Sequence, residues 1–319
     1  MRDFKRKLLF FLLLLLMAAG ASFLCSPAYI KLSERVKGRN QCVAGIMSEP
    51  SDSLDVLVIG DSLCSFNISP MEMWEKQGIS SYVCGQSGQT AAEAYYLLKR
   101  ALKTQSPKVL VLETNLFFRY EDIFSETENS LAETVYYYFP ALRFHDIWKS
   151  YAGEDKPPKY KYHKGFEIHN KVNPYAADDY MKQTEESEKR FALVRHYLKK
   201  IVKECEEQQI ELLLVSAPSP LNYNSKKHNA IQEFADTCQV PYLDFNLKES
   251  GLTIDWSADT MDNGDHLNYQ GAVKFSDHLA TYLKEQYTLS DHRGEAVYAA
   301  WDKELEQYLL DAETSSVQK

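Results

Sequence analysis

Asp55-Val56-Leu57-Val58-Ile59-Gly60-Asp61-Ser62-Leu63 is the stretch that decides the architecture. Four consecutive apolar residues between an acid and a glycine are too few for a core helix and do not alternate. They read as a strand buried on both faces that feeds a tight turn. The same reading repeats along the chain. Ser80–Cys84 is a second strand, followed by the turn Gly85-Gln86-Ser87-Gly88, and Val109–Leu112 is a third. Between them Ala91–Lys103 carries Ala94, Leu97, Leu98 and Ala101 at helical spacing, and Pro107 follows. Further on come a helix over Glu185–Gln208 (Phe191, Val194, Leu198 and Ile201 on one face), a strand over Ile210–Val215 and a helix over Asn224–Cys238. A short strand over Val240–Asp244 precedes a polar loop, Asp255–Asn268, and a helix from Tyr269 or Gln270 to Gln286. Strands alternating with helices predict an α/β fold, with a parallel sheet covered on both faces by right-handed crossovers. Ligands of such sheets bind beyond the carboxyl ends of the strands. The loops holding Ser62, Gly85–Gly88, Asn115 and His266 therefore gather at one edge.

The ends and the middle depart from this alternation. Arg2, Lys5, Arg6 and Lys7 precede an apolar stretch from Leu8 to Cys25, which as a helix spans roughly 27 Å, close to the bilayer hydrocarbon. The expectation is a signal anchor over residues 1–25 with a cytoplasmic N-terminus and an extracytoplasmic body. A signal peptide cleaved after Ala21 or Ser22, and lipidation at Cys25, are the alternatives. Residues 26–54 read as a tether, 55–290 as the catalytic body and 291–319 as a C-terminal helix and tail, with Val297, Trp301, Leu305 and Leu309 as its stripe. Residues 117–182 read as an insertion rich in Tyr, Phe and His, including Tyr136-Tyr137-Tyr138-Phe139 and Trp148, whose aromatics either pack on the body or line a groove. The net charge of −9 leaves no basic stripe for nucleic acid. The six cysteines show no metal-type spacing; Cys64 with Cys84, or Cys205 with Cys238, could pair in an exported protein, or serve as small buried residues.

Acyl transfer by serine needs a base to take its proton, an acid behind the base, and fixed N–H donors for the oxyanion. Ser62 follows a strand and a small residue. His266 lies in Asp262-Asn263-Gly264-Asp265-His266-Leu267-Asn268, an acid-rich turn after the last core strand. His145, His163 and His169 fall in the insertion, and His196, His228, His278 and His292 on or beside helices, as surface or packing residues.

Gly60-Asp61-Ser62-Leu63 resembles the first block of the SGNH hydrolases, also called the GDSL family. Ser87-Gly88-Gln89-Thr90 resembles the second, Asn115 stands where that family has its oxyanion asparagine, and His266 resembles the fifth block. The resemblance spans about 55–284, outside the insertion. It implies a flavodoxin-like three-layer sandwich, with Ser62 as nucleophile, His266 as base and Gly88 and Asn115 as oxyanion donors. Two departures stand out. The third block usually reads Gly-x-Asn-Asp and here is Glu113-Thr114-Asn115-Leu116. The aspartate usually found three residues before the histidine is replaced by Asn263, so either Asp262 or Asp265 serves, with Asp262 preferred because adjacent residues in extended backbone point apart.

The anchor, the insertion and the Glu-Thr-Asn variant resemble the cell-envelope branch, near the teichoic-acid D-alanylation protein and the alginate-type O-acetyltransferases. That resemblance implies a serine esterase or O-acyltransferase acting on an acylated cell-wall polysaccharide or related polymer, with a membrane O-acyltransferase as possible partner and no cofactor or metal. The competing expectation is a non-catalytic envelope scaffold of the same fold that holds such a partner.

Overall fold

The structure is a computed structural model that describes residues 2–24, 40–119, 122–144, 162–176 and 179–317. Its centre is a five-stranded parallel sheet. The strands are β1 (Val56–Gly60), β2 (Ser81–Gly85), β3 (Val109–Glu113), β6 (Glu211–Ser216) and β7 (Tyr242–Asp244), in the order β2-β1-β3-β6-β7. The insertion contributes a separate two-stranded hairpin, β4 (Tyr162–His163) and β5 (Phe166–Glu167). Every residue of β1 and β3 is buried, the pattern of strands covered on both faces. Each fully buried Val or Leu there contributes about 1.5–3 kcal/mol.

The connections fix the layers. From β1 the chain runs through α3 (Ser62–Asn67) and α4 (Pro70–Gln77) to β2 on one side of β1, then through α5 (Ala91–Ala101) to β3 on the other. Right-handed crossovers in opposite directions place these helices on opposite faces. α8 (Ala192–Gln208) and α9 (Ser225–Cys238) share the α5 face, and α10 (Tyr269–Gln286) packs on α4. This is a doubly wound α/β fold of flavodoxin-like order, and its switch point lies beyond the ends of β1 and β3.

Several boundaries differ from the sequence reading. The helix expected from Glu185 begins at Ala192. Residues 184–188 instead run along the start of α9, where Asn229 Nδ2 donates to the Thr184 and Glu186 carbonyls and the Glu188 N–H donates to the Lys226 carbonyl. The second half of the expected tether belongs to the body: in α2 (Gln41–Ile46) Cys42, Val43, Ala44 and Ile46 are buried. The insertion holds a long helix, α6 (Ile123–Tyr138), and a short one, α7 (Pro140–Arg143). His145, Trp148, Pro157-Pro158 and Tyr160 lie outside the described residues, as does Cys25. The C-terminal helix α11 spans Ala299–Val317 and keeps half of the expected stripe: Trp301 is buried and Leu305 packs half-buried on the core, joined by Tyr308 and Ala312, whereas Val297 and Leu309 are exposed. Its anchor is aromatic. Trp301 stacks obliquely on Trp74 at 5.1 Å, and the Tyr308 hydroxyl donates to Glu72 at 2.9 Å. The five described cysteines are free thiols.

Two glycines let α3 approach the strand ends. A β-carbon at Gly85 would stand 2.6 Å from Cys64 Sγ, 2.7 Å from the Asp61 carbonyl oxygen and 2.8 Å from the Ser65 nitrogen. One at Gly60 would overlap Glu113 Cβ. Because the atoms around Gly85 are mostly backbone, Gly85→Ala should displace α3 and destabilise the fold by about 1–3 kcal/mol, read as a lowered urea midpoint.

Candidate active site

Ser62 is the first residue of α3, at the carboxyl end of β1. Asp61 caps that helix by accepting from the Leu63 N–H at 2.9 Å, which fixes the turn. Ser62 is buried, and its Oγ lies 2.8 Å from His266 Nε2. His266 comes from a loop closed by the bridge between Thr260 and Leu267. Within it Asn263 (φ 62°) and Gly264 (φ 88°) are both left-handed. Those two residues fold the loop back so that Asp262 accepts the His266 backbone N–H at 2.6 Å and lies 2.6 Å from ring Nδ1. Burial alone would raise the Asp262 carboxyl. The hydrogen bonds from the His266 ring and backbone, the ring's charge and Lys171 outweigh it and hold the group below its ordinary value. An ionised carboxylate only accepts, so Nδ1 carries the proton and Nε2 presents its lone pair to Ser62.

Asp265 stands further off, with Oδ1 3.7 Å from His266 Nδ1. The same oxygen accepts from Asn222 Nδ2 at 2.5 Å. Asn263, the position usual for the aspartate, forms the left-handed corner.

The insertion supports this loop. The Asn173 N–H donates to the Thr260 carbonyl, the Asn263 N–H to the Asn173 carbonyl and the Tyr175 N–H to the Trp256 carbonyl, each at 2.9 Å. The Tyr175 ring fills the space beneath Gly264, where a β-carbon would stand 2.9 Å from it. Phe66, one turn past Ser62, meets the His266 ring edge-on at 4.8 Å and the His169 ring at 5.0 Å. His169 Nε2 is in turn 2.6 Å from Glu167 Oε1.

For the oxyanion the placement is mixed. Gly88 has φ 64° in open space, and neither its N–H nor that of Ser62 has an acceptor among the described residues. Asn115 follows β3 as expected, but its amide is engaged: Nδ2 donates to Asp61 Oδ2 at 2.9 Å and to Asn222 Oδ1 at 3.2 Å. Arg119, which the sequence reading passed over, also reaches Asp61 Oδ2 through Nε at 2.6 Å. Asn222 was missed as well. Both stand in loops that leave strands at this edge, the one positional signal that could have singled them out. Glu113 is wholly buried behind the turn; burial, then the neighbouring Asp61, push its carboxyl well above the usual range, against the Tyr223 hydroxyl and Asn115 N–H that donate to it.

Two recesses flank the turn. One, of about 280 Å³, is lined chiefly by Phe66, Tyr82, Ser65, Gln86, Tyr162 and Glu167. The other, of about 590 Å³, is lined by Gly88, Thr90, Phe118, Arg119, Ser125 and Glu126 among others. Glu126 is buried there, and burial together with Glu93 pushes its carboxyl up to about 7. Asp262, Asp265 and His266 also cluster closely enough to offer three atoms to a cation; Asp265 accepts there from Asn222, and His266 Nδ1 is paired with Asp262.

No protein-family model matches the chain. No curated protein matches it either. Solved structures similar to it include a psychrotrophic esterase from Pseudoalteromonas sp. (14% identity, 72% of this chain and 97% of that one, TM-score 0.38). A GDSL-like lipase from Bacteroides thetaiotaomicron VPI-5482 has 11% identity, covers 73% of this chain and 88% of its own, and gives a TM-score of 0.37. The acetyl xylan esterase AlAXEase has 14% identity, 72% and 99% coverage and a TM-score of 0.38. Likeness at this level carries no weight for activity, which must be read from the geometry of the site.

The lowered Asp262 carboxyl has a consequence for stability. A group depressed in the folded state stabilises above its unfolded value and loses that contribution as pH falls through the folded one. Asp262→Asn should therefore lower the urea midpoint at neutral pH, and the gap to wild type should close as pH drops below about 3.9, the ordinary aspartate value.

Proposed function

We propose that the chain is a membrane-anchored, exported serine esterase or O-acyltransferase that acts on an acylated envelope glycan. The observation that carries the reading is the line Ser62 Oγ, His266 Nε2, His266 Nδ1 and Asp262, joined at 2.8 and 2.6 Å. Ser62 Oγ attacks the ester carbonyl as His266 Nε2 takes its proton. Asp262 stabilises the imidazolium that forms. The oxyanion meets the N–H groups of Gly88 and Ser62, and the Asn115 amide joins them if one hydrogen leaves Asn222. Collapse releases the alcohol with the proton from His266, leaving an acyl ester on Ser62. A second alcohol or water, deprotonated by His266, then takes the acyl group and restores Ser62.

The two recesses suit the two halves of such a substrate. The smaller, largely apolar one beside Phe66 fits a short acyl group, and the larger, with Arg119, Ser125 and Glu126, offers hydrogen-bonding groups to a polyhydroxylated alcohol. The envelope setting rests on the basic N-terminus followed by one helix long and apolar enough to cross a membrane, Asp3–Phe23, and on the Glu-Thr-Asn pattern. A membrane O-acyltransferase would be the natural supplier of the acyl group. A non-catalytic scaffold has no need for a serine hydroxyl aligned on a histidine that is itself held by an acid.

A fluorophosphonate probe should label the wild type and leave Ser62→Ala unlabelled; equal labelling of the two, or of neither, sinks the proposal. p-Nitrophenyl acetate turnover should fall about 10⁴-fold in Asp262→Asn, the loss typical of removing the acid behind the base, and only slightly in Asp265→Asn. The reverse order would make Asp265 the supporting acid. The mass added to Ser62 in a slow-deacylating variant identifies the acyl group.

A further inference from the structure

α6 is an amphipathic helix turned the wrong way round for a protein surrounded by water. Its buried side chains are Glu126, Ser130 and Glu133. On the opposite face Phe124 is 84% exposed, Leu131 63%, Val135 42% and Tyr138 67%. The spacing of seven, four and three residues keeps these side chains in one stripe of α6. Apart from Tyr137 against the Tyr96 ring, the inward contacts are polar ones. The Tyr96 and Thr134 hydroxyls lie 2.7 Å apart, Arg100 donates to the Tyr136 carbonyl at 2.9 Å, and Arg143 pairs with Glu133. The helix is thus held to α5 by hydrogen bonds and the Tyr96–Tyr137 ring contact at 5.4 Å, and to α7 by the Arg143–Glu133 pair, while its apolar side faces no partner among the described residues. Stripes of this kind mark a contact with another apolar phase.

The neighbouring chain says which phase. The long apolar helix α1 (Arg2–Leu24) packs against α7, and Ser22, near its end, is its one buried residue among those described. Past residues 25–39 the chain returns at Asn40, whose side chain accepts from Arg143 Nη1 of α7 at 2.8 Å. Both ends of the link between helix and body therefore meet at α7, beside the stripe. Tyr138 and Phe139 stand there, and aromatic residues favour the level of lipid headgroups.

We propose that the Phe124–Leu131–Val135–Tyr138 stripe lies in the surface of the bilayer that α1 crosses, holding the body in one orientation. This rests on the membrane-anchored reading of α1. Glu128 borders the stripe, and α6 contains no Lys or Arg, so the contact is driven by apolar burial and not by charge. It should persist at high salt and without anionic lipid. The orientation brings the Gly88–Arg119–Glu126 recess, one wall of which is α6, close to the headgroups.

The test uses the full chain, with Cys25 and the half-buried Cys238 replaced by serine so that the introduced thiol alone reacts, in phosphatidylcholine vesicles with doxyl-labelled lipid, carrying an environment-sensitive fluorophore on Leu131→Cys, Leu13→Cys or Thr281→Cys. Thr281 is exposed on α10, across the sheet from α5. Emission should be lost to the lipid quencher at positions 13 and 131, unchanged by salt, and retained at 281. Quenching at 13 but not 131 overturns the proposal while leaving the anchor intact. Quenching at neither overturns both. A label at 131 that is shielded from water only as protein concentration rises, and not quenched by lipid, makes the stripe a contact between copies and also overturns the proposal.

Discussion

The site hangs on a buried carboxylate. Asp61 is wholly enclosed, and a charge removed from water must be matched by donors or a cation. The matching groups come from three directions: the Leu63 N–H of α3, the Asn115 amide past β3, and the Arg119 guanidinium at the entry to the insertion. Burying one charge therefore draws together the serine turn, the asparagine loop and the start of the inserted segment. The adjacent Glu113 yields to it. Burial, then the neighbouring Asp61, push its carboxyl well above the usual range, while Arg119 pairs with Asp61.

What could be read from the sequence follows from how local each signal is. The β1 strand and its turn declare themselves in nine residues, because an apolar run ending in Gly-Asp-Ser allows few other folds. The parallel order and the strand-end position of Ser62, Asn115 and His266 follow from alternation alone. Arg119 and Asn222 were illegible for a different reason. Each acts through a partner more than 40 residues away, and neither belongs to a repeating pattern. The start of α8 and, in the C-terminal stripe, Val297 and Leu309 were misjudged where a tertiary contact overrode periodicity. Tyr308 occupies the centre of the α11 interface because Glu72, Ser69 and His163 surround it, a reason invisible from the helix itself.

The insertion proves to be part of the framework of the site. Its hairpin lies on the sheet through the bond from the Val83 N–H to the Lys164 carbonyl, and residues 173–175 run beside the histidine loop. The C-terminal helix fastens the hairpin from outside: His163 stands between Glu304 at 2.8 Å and Asp311 at 3.1 Å. Hairpin, histidine loop and terminal helix are thus assembled in series, and the order of residues in the chain hides how closely they cooperate.

The left-handed pair at Asn263 and Gly264 has a wider meaning. In the usual spacing the acid stands three residues before the histidine. Here it stands four before, and the extra residue is absorbed by a corner that bends the chain back, so that one carboxylate grips both the ring and the backbone of its histidine. The distance in sequence between a histidine and the carboxylate that grips it is a property of the backbone between them and not of the chemistry.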